Sequence, residues 1–129
     1  QKLGVCKSIG VSNYSKQHLM ELAEAKLPVP ACNQIELHPM GQKADLVAYM
    51  NSKSILPVAY SSLVPLSTWR EGYQKYSGSI ANENKATPSP VKAIADGLKV
   101  SEAQILLRWG IQKGFCILPK STHEARIAQ

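Results

Sequence analysis

Long apolar stretches are missing from this 129-residue sequence, and no signal-peptide pattern opens it. A membrane-spanning segment and a secretory leader are therefore not expected. Cysteine is also scarce: the three cysteines form an odd, widely spaced set, which favours free buried thiols in a reducing compartment over a disulfide framework. We therefore expect a cytoplasmic protein, and we assign no residue to a metal site.

Blocks of like charge are missing too, as are aromatic residues interleaved with basic ones. The formal net charge of +6 favours anionic ligands or acidic partners, but the 15 lysines and arginines are scattered along the sequence. A nucleic-acid-binding domain is therefore the least favoured interpretation, and we expect no nucleic-acid partner. The length fits one domain, residues 1–129, and Gln1 shortly before a predicted strand indicates a chain that starts within its domain.

Strand-like and helix-like segments alternate along the sequence. The pattern predicts strands over 5–11, 31–36, 55–60 and 115–118, and helices over 15–26, 43–52, 91–98 and 101–113. This alternation with apolar strands indicates a parallel sheet, either half of an eight-stranded barrel or a small open doubly wound sheet. The polar segment over 61–89 also contains aromatic residues, and loops of its length are typical of lids or binding loops.

Polar residues stand at the carboxyl ends of the first three predicted strands, where parallel α/β folds bind their ligands. Ser12-Asn13-Tyr14 offers donors and acceptors to a ligand, or caps the next helix. Gln34 and Glu36 share one face of the second strand, where an amide-bearing ligand or an interior polar network could satisfy them. Tyr60 can stack on a flat heteroaromatic ring, or bridge the core and the rim.

The fourth predicted strand is followed by two cations, Lys120 and Arg126, on either side of a predicted helix start. Ser121 and Glu124 have the spacing of a capping box, which predicts that a helix begins there. Cations beside a helix N-terminus can hold a phosphate through charge and backbone N–H groups, whereas the alternative is a pair of solvated side chains. Because the sequence has no G-x-G-x-x-G turn, a dinucleotide would not be bound in the Rossmann manner.

Four of these segments, taken in order, resemble the motifs of the aldo-keto reductases. The family's patterns are I-G-V-S-N-F/Y, N-Q-I-E-x-H-P, A-Y-S-P-L and I-P-K-S-x-x-x-x-R. The matching segments here are Ile9-Gly10-Val11-Ser12-Asn13-Tyr14, Asn33-Gln34-Ile35-Glu36-Leu37-His38-Pro39, Ala59-Tyr60-Ser61-Ser62-Leu63, and Leu118-Pro119-Lys120-Ser121 with Arg126. Ser62 stands where the family has proline.

The resemblance implies that this chain is the second half of a (β/α)8 TIM barrel, strands five to eight with their helices. It implies NADP(H) as the cofactor, extended across the carboxyl-terminal mouth of the barrel. The implied contacts run from the nicotinamide to the adenine. Ser12, Asn13 and Gln34 would hold the carboxamide, Tyr60 would stack on the nicotinamide, and Ser61 and Leu63 would contact the pyrophosphate. Lys120, Ser121 and Arg126 would hold the 2′-phosphate, with Gln129 near the adenine.

The implied activity is the NADPH-dependent reduction of aldehydes or ketones to alcohols, with a small carbonyl compound as the substrate. Trp69 is expected at the substrate pocket. The family's catalytic Asp, Tyr, Lys and His belong to the other half of the barrel, so this chain alone is expected to be inactive. The alternative is a non-catalytic nucleotide-sensing or regulatory barrel. Either the missing half barrel or a second copy, paired through the open sheet edges, is expected as a partner.

Overall fold

The computed structural model describes residues 3–66 and 90–129. Within these residues strands and helices alternate, as predicted. The elements are β1 (Val11–Ser12), α1 (Lys16–Glu24), β2 (Cys32–Glu36), α2 (Ala44–Ser52), β3 (Leu56–Tyr60), a 3₁₀ turn (Val64–Leu66), α3 (Pro90–Leu98), α4 (Glu102–Gln112), β4 (Cys116–Ile117) and α5 (Glu124–Ile127).

The four strands form one parallel sheet in the order β1-β2-β3-β4, so neighbours in the chain are neighbours in the sheet. Ser12 lies beside Gln34, Glu36 lies beside Tyr60, and Ala59 lies beside Ile117. Because all four strands are parallel, their carboxyl ends lie together along one side of the sheet, here called its carboxyl edge. The polar residues at the ends of the predicted strands are expected at this carboxyl edge.

The core lies between one face of the sheet and the helices. Its buried side chains come from β2, β3, α1, α2 and the connections beside them: Leu19, Ile35, Leu37, Met50, Ile55, Ala59 and Phe115. Trp109 of α4 and Ile117 of β4 pack against this cluster. The opposite face of the sheet, here called the open face, bears Ser12, Gln34, Glu36, Leu56, Val58, Tyr60 and Cys116. Ser12, Leu56 and Cys116 are exposed on it.

Two helix starts follow directly from the local sequence. Ser15 accepts a hydrogen bond from the His18 backbone N–H while the His18 side chain accepts one from the Ser15 backbone, and Ser101 and Gln104 repeat this arrangement at α4. Each such cap stabilises its helix by about 1 kcal/mol. In both helices the capping groups are only three positions apart in the sequence.

Two expectations, one about strand length and one about burial, are wrong. The predicted strand over 5–11 is reduced to the short β1, which contains only Val11 of the predicted range together with Ser12. The three cysteines are free, as predicted, but Cys6 and Cys116 are exposed and Cys32 is only partly buried. Cys6 precedes the sheet and Cys116 lies on the open face, so neither reaches the helix-covered core.

The helices α3 and α4 are less buried than their patterns indicate. Only Val91 and Ala95 are buried in α3, while Ile94 and Leu98, which share the apolar stripe of this helix in the sequence, are exposed. In α4 the buried residues are Leu106 and Gly110. On the exposed side of α3, a hydrogen bond from Lys92 to Asp96 raises the pKa of Lys92.

Gly10 allows a close approach of the backbone just before β1. A Cβ atom at this position would lie 2.5 Å from Cys32 Sγ and 3.3 Å from the Cys32 carbonyl oxygen. The absence of a side chain therefore lets the segment before β1 lie directly against β2. This packing sets the position of the polar residues that follow at Ser12 and Asn13.

Candidate functional site

Three strands meet in a chain of hydrogen bonds at the carboxyl edge of the sheet. The Tyr60 hydroxyl donates to Asn13 Oδ1 at 2.8 Å, Asn13 Nδ2 donates to Ser12 Oγ at 3.3 Å, and Ser12 Oγ donates to the Gln34 carbonyl oxygen at 2.9 Å. The Asn13 backbone N–H donates to the same carbonyl at 2.9 Å. The structure thus brings together Ser12, Asn13, Gln34 and Tyr60, which we call the strand-end cluster.

The Gln34 side chain is the part of this cluster that remains available to a ligand. It is half-buried on the open face. Within residues 3–66 and 90–129, no side-chain hydrogen bond of the Gln34 amide is found. A half-buried amide with unused donors and acceptor fits a polar planar ligand group of its own kind. The chemistry of the donor set therefore suits a carboxamide.

Asn33 helps to position the strand-end cluster, a role that was not predicted from the sequence. Its side chain is fully buried on the helix-covered face, where Nδ2 donates to the Tyr14 carbonyl at 2.9 Å and Oδ1 accepts from the Tyr14 N–H at 3.3 Å. These two bonds hold the turn that follows β1 against β2. The sequence does contain a signal for this role. Strand alternation places this polar residue on the core side of an apolar strand, where its side chain needs hydrogen-bond partners within the protein.

The segment after β3 turns sharply away from the sheet. Ser61 adopts the left-handed region with φ 58°, as Asn13 does at the end of β1. The Val64 N–H donates to the Ser61 carbonyl at 3.0 Å, and buried Ser62 donates to the Ala59 carbonyl at 3.4 Å. Ser61 and the half-buried Leu63 therefore lie beside Tyr60 at the same edge. The serine at position 62 still permits a compact turn where the family motif has proline.

The cationic segment follows β4 at the same edge of the sheet. Lys120 and Arg126 are exposed, and Ser121 is half-buried. The predicted capping box at Ser121 is wrong: α5 begins at Glu124, and Ser121 Oγ instead accepts from the His123 N–H at 3.1 Å. Because α5 is only four residues long, its N-terminus has little macrodipole to offer an anion, and the two side-chain charges would provide most of the attraction.

Gln129 and Trp69 are the remaining site residues predicted from the sequence. The carbonyl of Gln129 accepts a hydrogen bond from Gln104 Nε2 at 3.1 Å, which ties the residues after α5 to the start of α4. Trp69, assigned to the substrate pocket, lies outside the described residues.

Beyond the strand ends, the turn after β2 buries His38 beside the partly exposed Glu36. His38 is 2% exposed, and its Nε2 lies 3.3 Å from Glu36 Oε1. The Gly41 N–H donates to the His38 carbonyl at 2.8 Å, and a Cβ at Gly41 would lie 2.9 Å from the His38 ring. This packing supports the interpretation of His38 as a structural turn residue.

Residues 3–66 and 90–129 contain neither a membrane-spanning helix nor a metal-binding cluster. Of the helices described there, none is long and apolar enough to cross a membrane. Nor do the histidine, cysteine and acidic side chains of the same residues form a group of three that could hold a metal ion.

The sequence matches the Aldo/keto reductase family over residues 1–129. It is 43% identical over 129 residues to an aldo/keto reductase of Synechocystis sp., which aligns 98% of this chain with 37% of that protein. A glycerol 2-dehydrogenase (NADP(+)) of Hypocrea jecorina is 40% identical over 124 residues, 96% of this chain and 36% of its own length. A solved aldo-keto reductase of Bombyx mori in complex with NADP is 32% identical with a TM-score of 0.76, over 99% of this chain and 39% of that one.

The chain therefore spans less than two fifths of the length of these relatives. Its four parallel strands, with helices on one face, match part of the (β/α)8 barrel of the solved neighbours, so the predicted fold class is confirmed. The family match covers the whole sequence, and the relatives agree with it. This chain belongs to the aldo/keto reductase family.

Proposed function

We propose that the complete protein is an NADPH-dependent oxidoreductase that reduces aldehydes or ketones to alcohols, and that this chain supplies its NADP-binding half. The observation that carries the proposal is the strand-end cluster, in which hydrogen bonds join three strands around the free Gln34 amide. The names of two relatives support the cofactor: one binds NADP in its solved structure and one is an NADP(+) dehydrogenase.

In this proposal the cluster holds the nicotinamide end of the cofactor. Ser12, Asn13 and Gln34 would bind the carboxamide, because together they offer both donors and acceptors within one strand-end surface. Tyr60 would cover one face of the ring by stacking, which leaves the other face to the substrate. NADPH, when bound, supplies the hydride for carbonyl reduction. The residues of this chain orient the ring and exclude water from one of its faces.

The remaining contacts follow the strand ends toward the adenine. Ser61 and Leu63, beside Tyr60, would face the pyrophosphate, and Gln129 would lie near the adenine. Lys120, Ser121 and Arg126 would bind the 2′-phosphate, since a dianion is favoured by paired cations. The catalytic Asp, Tyr, Lys and His remain assigned to the rest of the barrel. The chain alone is therefore expected to bind weakly and to be inactive.

An assay of the complete protein tests the proposed function. We expect loss of NADPH absorbance when a generic aldehyde is added, and no loss with residues 1–129 alone. A complete protein that binds NADPH, detected by quenching of protein fluorescence, but turns over no aldehyde or ketone would instead support the nucleotide-sensing alternative. Failure to bind NADPH at all would contradict both proposals.

Residues 1–129 in isolation are expected to self-associate through the open face. Leu56 on that face is 46% exposed, and the strands at both edges of the sheet have unpaired backbone groups. We expect size-exclusion chromatography to show species larger than a monomer. Leu56→Glu should shift the profile toward the monomer, whereas Ile111→Glu, at a 51% exposed residue of α4, should not. A well-ordered wild-type monomer would contradict this expectation.

A further inference from the structure

The helix α1 begins with a capping box in which a histidine takes the place that glutamate or glutamine usually has. His18 Nδ1 accepts a hydrogen bond from the Ser15 backbone N–H at 3.3 Å, and the His18 backbone N–H donates to Ser15 Oγ at 3.2 Å. At α4 the same role belongs to Gln104, whose Oε1 accepts from the Ser101 N–H at 2.8 Å. Of these two caps, only that of α1 therefore depends on a side chain that takes up a proton close to neutral pH.

A proton on His18 Nδ1 and this hydrogen bond exclude each other. Nδ1 can accept only through its lone pair, which requires the neutral ring with its proton on Nε2. The imidazolium has a proton on both nitrogens, so that two donors would face each other between the ring and the Ser15 backbone. Falling pH therefore favours the form in which the cap is open, and rising pH favours the form in which it is closed.

The surroundings of His18 on its own helix do not compensate a positive charge. The positive end of the α1 dipole lies at the first turn, which contains no acidic residue and includes Lys16. Glu21, one turn further on, accepts a hydrogen bond from Gln17 Nε2 at 3.1 Å. A proton on His18 would therefore add charge to a helix end that is already positive.

The neighbouring helix α2 does not compensate this charge either. Its one acidic residue is Asp45 in its first turn, and within the described part of the chain Asp45 forms no ion pair with His18. The groups of α2 that approach α1 are Tyr49 and, at the end of the helix, Lys53. Both Lys16 Nζ and Lys53 Nζ lie near the Tyr49 ring, at 5.8 and 5.9 Å from its centroid. The side of α1 that faces α2 is therefore positive as well.

His18 also holds the turn that joins β1 to α1. Its ring packs against the Tyr14 ring in a T-shaped arrangement, with the centroids 5.5 Å apart, and its Nδ1 binds the next residue, Ser15. This turn directly follows Ser12 and Asn13. We propose that the His18 cap is a proton-sensitive device, in which a proton on Nδ1 releases the start of α1, loosens this turn and weakens NADPH binding below neutral pH. The effect on NADPH rests on the proposed function, whereas the opening of the cap does not.

Hydrogen exchange on the complete protein tests the cap without a cofactor. The Leu19 N–H, which donates to the Ser15 carbonyl at 3.1 Å in the first turn of α1, reports whether this turn is closed. Between about pH 7.5 and pH 5.5 we expect its protection factor to fall about twofold to fivefold in the wild type, up to the value of one capping interaction. His18→Gln, which copies the cap of α4, should keep the protection at both pH values, and His18→Ala should lower it at both. His123→Gln is the matched control, because it removes an exposed histidine whose side chain forms no cap, and it should retain the wild-type pH dependence.

The second measurement is the dissociation constant of NADPH at the same two pH values. Because the 2′-phosphate also takes up a proton in this range, the affinity of the wild type is compared with that of His18→Gln, in which the contribution of the phosphate is the same. We expect the ratio of the two affinities to fall about twofold to fivefold at the lower pH. Leu19 protection that does not depend on pH, an equal fall in His18→Gln, or an unchanged affinity ratio would overturn the inference. If Leu19 protection fell as expected but NADPH bound at neither pH, the proposed function would be overturned and the proton-sensitive cap confirmed.

Discussion

Replacing both Lys120 and Arg126 by alanine is expected to weaken NADPH binding by the complete protein about a hundredfold, with little change in NADH binding. Each charge-assisted contact contributes about 1.5–3 kcal/mol, and since both side chains are exposed we take the lower value for each. Two such contacts give about 3 kcal/mol, or roughly two powers of ten in affinity. The loss falls on NADPH because only this cofactor has the 2′-phosphate.

The measurement is a pair of dissociation constants, for NADPH and NADH, in the wild type and the double variant. Arg108→Ala with Lys113→Ala is the matched control, because it removes one arginine and one lysine from the exposed surface of α4 and its end. This control should change the affinity for both cofactors alike and only slightly. Equal losses for NADPH and NADH in the Lys120 and Arg126 variant would refute the assignment of the 2′-phosphate.

The complete protein with Asn33→Leu is expected to lose about 2–4 kcal/mol of its free energy of unfolding. Leucine has a similar size but cannot replace the two hydrogen bonds to the backbone of Tyr14. Because position 33 is fully buried, a leucine there would leave the Tyr14 N–H and carbonyl without these hydrogen-bond partners. The loss can be measured by equilibrium denaturation in urea.

Gln34→Leu serves as the control for this experiment, since Gln34 is the next residue of β2 and points to the open face. Its side chain makes no hydrogen bond within the described residues, so we expect a change within about 1 kcal/mol. Similar unfolding free energies for wild type and Asn33→Leu would show that the turn after β1 does not depend on the asparagine.

Features set by local sequence were predicted correctly. The predicted helices over 15–26 and 101–113 correspond to α1 and α4, whose caps at Ser15 and Ser101 each involve residues three positions apart, so the local sequence contains all of the interacting groups. The same pattern failed at Ser121, where the side chain binds the backbone of His123 and the helix starts later. The serine there had a competing local partner, which the spacing alone does not reveal.

Features set by distant residues were predicted less well. The segment over 5–10 has the composition of a strand, but a strand needs a partner, and on this side of β2 the strand pairing begins only at Val11. Within the site, the motifs gave the identity of Tyr60 and Asn13 but not the bond between them. These residues are 47 positions apart, and no periodicity of the sequence connects them. The direction of their hydrogen bond depends on the Gln34 carbonyl, which only the folded sheet places there.

The left-handed backbone of Asn13 limits which amino acids can replace it. Its φ of 58° would suit glycine best, so substitution by glycine could relieve conformational energy at this turn. Glycine, however, would delete the amide that links Ser12 to Tyr60. Asparagine tolerates this backbone better than most residues and also both donates and accepts. Few other amino acids meet both demands, so substitutions that would raise thermal stability at this position are constrained by the hydrogen bonds that join β1 to β3.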